Sequence, residues 1–179
     1  NPYYDAEFTP EDIQVVPDPD DPKKNYIELN GKKIGPFQQV MNVFVTPDKS
    51  RFYAFAAKGG QLRFVSSDGR DVAAGGMPSE AIISPDGTKA VGKCLGHLTM
   101  LDGMEVDPNK IDWKSLDDVT LYAIDGRKFG PFPKSADFGE MWFLADSNDW
   151  LFTVGHTAYF NGTALKPFNE RVSKSAFWI

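Results

Sequence analysis

A short phrase that occurs twice in the sequence limits the possible fold more than any other feature. Asn30-Gly31 is followed by Lys32–Phe37, Asp125-Gly126 is followed by Arg127–Phe132, and both copies end in Gly-Pro-Phe. A weaker copy begins at Asn161-Gly162. Asn-Gly and Asp-Gly favour a two-residue type I′ turn, because both turn positions require φ > 0. Each copy therefore predicts a β-hairpin, and the recurrence predicts a repeat architecture.

Further hairpins occur between these copies, so that the complete unit recurs at the spacing of about 40 residues typical of propeller blades. Apolar strands flank polar turns in residues 43–57, 82–94 and 142–154, and helix patterns are scarce. The pattern predicts an all-β fold of antiparallel, four-stranded, propeller-type blades, about three of them plus end strands. The expected strands lie near 26–29, 42–46, 52–57, 61–66, 81–84, 89–94, 97–101, 119–124, 141–145, 150–155 and 157–160.

The composition divides the chain into two parts. Residues 1–24 are rich in proline and aspartate and have no sustained periodicity, so they are expected to form an extended arm. Residues 25–179 form the expected repeat domain, which is interrupted by an insertion at 107–118. Insertions in repeats usually emerge on one face, which is often the binding face. The end pieces, 26–37 and 177–179, either complete one shared blade or belong to a longer propeller. The longer propeller is the favoured interpretation.

Two of the turns carry a resemblance to a known family. At Thr46-Pro47-Asp48 and Ser84-Pro85-Asp86-Gly87, the chain resembles the TolB-like, WD-repeat-like β-propellers, whose blades have a Ser-Pro-Asp-Gly-Lys-type turn between apolar strands. The resemblance covers roughly residues 25–179, and it departs from the pattern at Ala145-Asp146-Ser147-Asn148. It implies a propeller fold and a periplasmic, cell-envelope or extracellular location.

Charge and composition exclude several classes of partner. The net charge is -6 and the pI is about 4.9, which disfavours sequence-independent binding of nucleic acid or of an anionic membrane surface. No apolar stretch approaches the roughly 20 residues of a membrane span. The single cysteine, Cys94, excludes an internal disulfide, and its apolar strand predicts an unreactive thiol.

The candidate contact residues are two histidines and one tryptophan-centred segment. His97 and His156 occupy the same place in two repeats, each preceded by glycine, and partly buried structural histidines are favoured over a metal pair because no further ligands have suitable spacing. Trp113, with Ile111 and Asp112, lies in the insertion and is the best candidate for an aromatic anchor. No metal and no cofactor are expected.

No catalytic residue is identified. The sequence has no G-x-S-x-G, H-E-x-x-H, C-x-x-C or P-loop motif. The first functional hypothesis is therefore a non-catalytic, propeller-like scaffold or binding module for a protein, peptide or glycan partner. The alternative hypothesis is the propeller portion of a larger hydrolase or peptidase whose catalytic domain lies outside this chain.

Overall fold

The computed structural model describes residues 13–96, 118–133 and 136–167. The expected all-β class is confirmed, because strands hold 61% of the described residues and no α-helix is formed by them. The strands form four antiparallel sheets of three or four strands, and none of the sheets closes on itself. The expected strand at 97–101 lies outside the described residues.

The first sheet has the order β1-β2-β3 and consists of β1 (Ile13–Pro17), β2 (Asn25–Leu29) and β3 (Lys32–Phe37). Its first strand lies within the segment expected to be an arm, so part of that segment is paired with the rest of the fold. Ile13 is opposite Leu29 and is buried in the core of the first two sheets. Pro17 is tolerated because β1 is an edge strand of this sheet and Pro17 is its last residue.

The other three sheets each contain four strands, and each strand pairs with the next one along the chain. The second sheet consists of β4 (Gln39–Val45), β5 (Phe52–Lys58), β6 (Gln61–Ser66) and β7 (Asp71–Ala73). The third sheet consists of β8 (Met77–Ile83), β9 (Ala90–Leu95), β10 (Asp118–Ala123) and β11 (Lys128–Pro133). The fourth sheet consists of β12 (Phe138–Phe143), β13 (Trp150–Val154), β14 (Thr157–Phe160) and β15 (Thr163–Ala164).

Successive sheets pack against each other through three apolar cores. The first core joins Ile27 and Phe37 of the first sheet to Phe52 and Val65 of the second. The second core joins the second and third sheets through Tyr53, Phe55, Phe64, Ala90, Cys94 and Tyr122. The third core joins the third and fourth sheets through Val91, Leu121, Trp150 and Phe152. The second and third sheets are therefore covered on both faces, which explains the continuous apolar run of β5.

The repeated turns only partly have the expected geometry. Asn30-Gly31 has φ values of 51° and 77°, and Asn161-Gly162 has 49° and 85°, so both turn residues have positive φ as expected for type I′. The expectation is wrong for Asp125-Gly126, where only the glycine has positive φ, at 99°. The Gly126 N–H donates to the Ala123 carbonyl at 2.9 Å, so a longer turn joins β10 to β11.

Hydrogen bonds between neighbouring sheets place one set of turns together at one end of the strands, here called the turn rim. Asn30 Nδ2 in the β2–β3 turn donates to the Lys49 carbonyl in the β4–β5 turn at 3.0 Å. Asn148 Nδ2 in the β12–β13 turn donates to Asp86 in the β8–β9 turn at 2.5 Å. Because neighbouring strands are antiparallel, the β5–β6 and β13–β14 turns lie at the opposite rim, where β9 ends and β10 begins.

Candidate functional site

A cleft of about 220 Å³ opens where the first sheet packs against the second. One wall is formed by β3, and the other is formed by the end of β5, the end of β6 and the turn into β7. Ile34, Phe37 and Val65 provide apolar lining, whereas Lys33, Lys58 and Arg70 provide positive charge. Lys58 ends β5 at the opposite rim and Arg70 lies at the turn rim, so the cations come from both ends of the second sheet.

The Arg70 guanidinium is held in position by two neighbours. Its Nε and Nη2 donate to the Asp68 carboxylate at 2.9 and 2.7 Å, which is a bidentate pair. Nη2 also donates to the Tyr53 hydroxyl at 3.2 Å, and the guanidinium carbon lies 5.8 Å from the centre of the Tyr53 ring. Nη1 has no partner among the described residues, so this nitrogen can donate to a ligand that enters the cleft.

The charge states of this cluster follow from its hydrogen bonds. Burial raises the pKa of Asp68, but hydrogen bonds from Arg70 and from the Ser66 hydroxyl outweigh burial and lower the pKa to about 2. Burial raises the pKa of Tyr53 above its usual value. At neutral pH, Asp68 is therefore ionised, Tyr53 is a neutral phenol that donates to the Gly87 carbonyl at 2.7 Å, and Arg70 is positively charged.

The positive charges of the two cleft lysines are neutralised by ion pairs to a smaller extent than the charge of Arg70. Lys33 Nζ is 3.4 Å from Glu28, and 55% of the Lys33 side chain is exposed. Lys58 is exposed and forms no ion pair with any residue that the structure describes. Asp71 also lines the cleft, but its carboxylate is 2.6 Å from Arg63 Nε. Lys58 is therefore the cation that is most available to an incoming anionic group.

Two buried acceptors lie in the chain beside this cleft. The side-chain oxygens of Gln38 and Gln39 are buried and accept no hydrogen bond from the residues that the structure describes. Gln38 follows Phe37, which lines the cleft, and its backbone N–H donates to the Ala57 carbonyl at 2.9 Å, next to Lys58. Because an unpaired buried acceptor is destabilising by roughly 1–3 kcal/mol, such groups usually have a partner in the functional state of a protein.

The structure does not place His156 in the cleft. His156 is exposed in the β13–β14 turn of the fourth sheet, directly after Gly155, which has φ of 56°. His97, Ile111, Asp112 and Trp113 lie outside the described residues, as does the expected insertion except for Asp118, the first residue of β10. The connection that contains them starts and ends at the same rim as the His156 turn.

The position of Cys94 agrees with the unreactive thiol expected from the sequence. It is completely buried, and burial raises the pKa of its thiol to about 12, so the thiolate is not formed at neutral pH. In the part of the chain that the structure describes, no cluster of three or more His, Cys, Asp or Glu side chains is suited to a metal ion. The same residues include no helix with the length and apolar character of a membrane span.

The cleft residues were not identified from the sequence. Arg70 directly follows the turn glycine Gly69, and Lys33 lies two residues after Gly31, but cations near turns are common and carry no specific signal. Only the packing of β3 against the second sheet brings Lys33, Lys58 and Arg70 around one cleft.

No model of a known protein family matches the chain, and no curated protein matches its sequence. The resemblance to TolB-like propellers therefore rests on the turn motifs and their spacing. The chemistry of the site rests on the geometry of the cleft.

Proposed function

We propose that this protein is a non-catalytic binding module built from β-propeller blades, and that it binds an extended acidic peptide segment of a partner protein in the cleft between its first two sheets. The resemblance to TolB-like propellers supports a periplasmic, cell-envelope or extracellular location for this binding.

The order and packing of the strands support the propeller arrangement. The second, third and fourth sheets are each a meander of four antiparallel strands that follow one another in the sequence. Each sheet packs against the next one along the chain. The first strands of these sheets, β4, β8 and β12, are neighbours, as the innermost strands of propeller blades are. The first sheet matches the last three strands of this unit, because its Asn-Gly turn joins its last two strands.

The observation that carries the functional proposal is the set of cations around an apolar lining. A cleft of about 220 Å³ is smaller than the roughly 300–1,000 Å³ of most small-molecule sites, so it suits a few side chains of a peptide. The fixed Arg70 guanidinium has an Nη1 without a described partner, and Lys58 has no ion pair within the described part of the chain, so both cations match the carboxylates of an acidic peptide.

A peptide fits this cleft better than a glycan. Protein sites for sugars usually offer an exposed aromatic face, but Phe37, the aromatic residue that lines this cleft, is only 1% exposed. A peptide with acidic side chains supplies carboxylates for the cations of the cleft.

The test is a titration of the full chain with a fluorescein-labelled peptide in which glutamate alternates with valine. The same peptide with glutamine in place of glutamate is the control ligand. We expect fluorescence anisotropy to detect binding of the acidic peptide that weakens with added salt, and much weaker binding of the neutral peptide.

Two matched lysine variants locate the binding. Lys58→Gln should weaken binding of the acidic peptide by about fivefold, because one charge contact at a solvated rim is lost. Lys128→Gln changes an exposed lysine of the third sheet and should leave the affinity unchanged. Equal binding of the acidic and neutral peptides, or equal effects of the two lysine variants, would contradict the proposal.

A further inference from the structure

We propose that Asn30 is a site of spontaneous covalent modification, at which deamidation replaces the side-chain amide by a carboxylate, whereas Asn161 is protected by the fold. Both asparagines precede a glycine and occupy the first position of a turn with positive φ at both residues. The inference does not depend on the proposed peptide binding, because it rests on the contacts of the two turns.

The reaction needs only the chain and water. The backbone nitrogen of Gly31 attacks Cγ of Asn30, the new N–Cγ bond closes a five-membered succinimide, and the Cγ–Nδ2 bond breaks. The amide nitrogen leaves as ammonia and takes the proton of the Gly31 N–H. Water then opens the ring at either carbonyl and gives aspartate or isoaspartate. Glycine at the second position favours the attack, because it has no Cβ that hinders the ring.

The rate in the folded protein depends on how easily each turn opens. The attack requires the side chain to leave its native contacts and to approach the following backbone nitrogen. Each contact that holds the side chain lowers the population of the open turn, as for other local opening reactions. The two Asn-Gly turns have nearly the same φ values, so the difference between them lies in these contacts.

Asn161 is held at both atoms of its side-chain amide. Its Oδ1 accepts the Trp150 N–H at 3.0 Å, and its Nδ2 donates to Asp149 Oδ1 at 2.8 Å. Gly162 packs so closely on the Phe129 ring that a Cβ at this position would overlap the ring. Asp149 and Trp150 therefore fix the amide of Asn161, and Phe129 of the third sheet restricts the backbone of Gly162.

Among the residues that the structure describes, Asn30 is held by a single side-chain hydrogen bond. Its Nδ2 donates to the Lys49 carbonyl at 3.0 Å on the exposed turn rim. Apart from its chain neighbours, no atom of the described residues lies within 4 Å of the position that a Cβ would take at Gly31, so nothing packs against this glycine there. This turn opens at the loss of one exposed hydrogen bond, and Asn30 is the asparagine that reacts.

The modification changes the contact between the first two sheets. The product carboxylate cannot donate to the Lys49 carbonyl, so the hydrogen bond that joins the two turns is lost. Isoaspartate also adds one atom to the backbone between Leu29 and Lys32, which are paired in the β2–β3 ladder. The strand that is displaced, β3, carries Lys33 and Ile34 of the cleft wall.

The experiment follows both sites in one sample of the full chain. The protein is incubated at mildly alkaline pH in water labelled with ¹⁸O, and peptide mapping by mass spectrometry measures the heavy oxygen gained at each asparagine. We expect conversion at Asn30 to be faster by about tenfold or more than at Asn161. In denaturant the two rates should converge. Equal rates in the folded protein, or conversion of Asn30 in denaturant only, would overturn the proposal.

A variant tests the cause of the protection. Asp149→Ala removes the acceptor of Asn161 Nδ2 in a half-buried turn and should accelerate conversion at Asn161 without changing the rate at Asn30. Circular dichroism confirms that the variant is folded. If a folded Asp149→Ala protein converts Asn161 as slowly as the parent protein does, the hydrogen bonds are not the source of the protection.

Discussion

At the residue scale, pairs of a hydroxyl and a carboxylate build the repeated polar turns. Thr46 donates to Asp48 at 2.6 Å, and Ser84 donates to Asp86 at 2.7 Å. The same hydroxyls accept backbone N–H groups, from Arg51 at 3.0 Å and from Lys89 at 2.9 Å. The Ser/Thr-Pro-Asp motif therefore closes its turn through side-chain hydrogen bonds, which explains physically why these residue types recur in the turns.

The third copy of this turn uses different contacts. Leu144 occupies the position equivalent to Thr46 and Ser84. Its N–H donates to the carbonyl five residues later, that of Asp149, at 2.9 Å, as the N–H groups of Thr46 and Ser84 do in their turns. Without a hydroxyl at this position, Ser147 donates to Asp149 at 3.0 Å and Asn148 reaches across to Asp86. Residues 145–148 depart from the Ser-Pro-Asp-Gly-Lys-type turn, and a hydrogen bond to the neighbouring sheet replaces the missing contacts.

The first prediction concerns the stability of the protein at acidic pH. Hydrogen bonds from the Thr46 and Ser50 side chains lower the pKa of Asp48 from 3.8 to about 2. Because the pKa of the Asp48 carboxyl is lower in the folded than in the unfolded protein, its ionised form stabilises the fold at pH values above 3.8. This stabilisation is lost as the pH falls from 3.8 to about 2. The melting temperature of Asp48→Asn should therefore be lower than that of the parent protein at neutral pH, and the difference should shrink towards pH 2. A difference that is constant with pH would contradict this.

The second prediction concerns a turn glycine. Gly126 has φ of 99°, and no atom lies within 4 Å of a Cβ at this position, so backbone strain alone opposes a side chain there. Gly126→Val should lower the free energy of unfolding by roughly 1–3 kcal/mol in a urea titration. Lys128→Ala is the control; it loses a contact of 6.0 Å with the Tyr122 ring, worth about 0.5–1 kcal/mol. Equal midpoints for the two variants would contradict the prediction.

At the element scale, the sequence predicted the bounds of the strands with clear apolar patterns, whereas it indicated the short polar strands only through the turns that precede them. The strands β5, β6, β9, β13 and β14 lie within one residue of their expected bounds. The phrase ending in Gly-Pro-Phe correctly predicted β3 and β11 as second strands of hairpins. The turns at Asp68-Gly69 and Asn161-Gly162 indicated a last strand after each of them, but the bounds of Asp71–Ala73 and Thr163–Ala164 were not predicted, because two or three mostly exposed residues at a sheet edge have no measurable periodicity.

The cleft could not be predicted for a different reason. Lys33, Lys58 and Arg70 belong to β3, β5 and a turn, and no sequence pattern relates them. Their proximity depends on how closely the first sheet packs on the second, which is decided by side-chain volumes in the shared core. Packing of this kind is a property of the assembled sheets, whereas hairpins are encoded by a few neighbouring residues.

The third prediction concerns the contact between the second and third sheets. A Cβ at Gly92 of β9 would overlap the Phe55 ring of β5, so this glycine sets the distance between the two sheets. Gly92→Ala should lower the free energy of unfolding by roughly 1–3 kcal/mol through overpacking. Phe55→Leu removes the clashing ring atoms, so the double variant should lose less than the sum of the two single variants. Strict additivity in denaturant titrations would show that the two positions are not in contact.

At the scale of the whole molecule, each described sheet depends on its neighbours in chain order. Each of the three cores joins two successive sheets. In such an arrangement, stability is approximately the sum of the contributions of single units and of the interfaces between neighbours. Damage to one interface should therefore affect the two adjoining sheets more than the distant ones.

The last prediction tests this local coupling at the interface of the third and fourth sheets. Phe152 is completely buried, and its ring lies 4.5 Å from Tyr159 and 5.2 Å from Trp150, measured between ring centres. Phe152→Ala should lower the free energy of unfolding by about 3–5 kcal/mol. Amide hydrogen exchange should then show loss of protection in β13 and β14, while β5 and β6 keep most of theirs.

Phe64→Ala is the matched control for this prediction, because Phe64 is equally buried but belongs to the interface of the second and third sheets, where it stacks on Phe55 at 4.7 Å. It should reduce protection in β5 and β6 first and spare β13 and β14. If both variants instead lower protection equally in all four sheets, the described sheets unfold as one cooperative unit, and the nearest-neighbour description of this molecule is wrong.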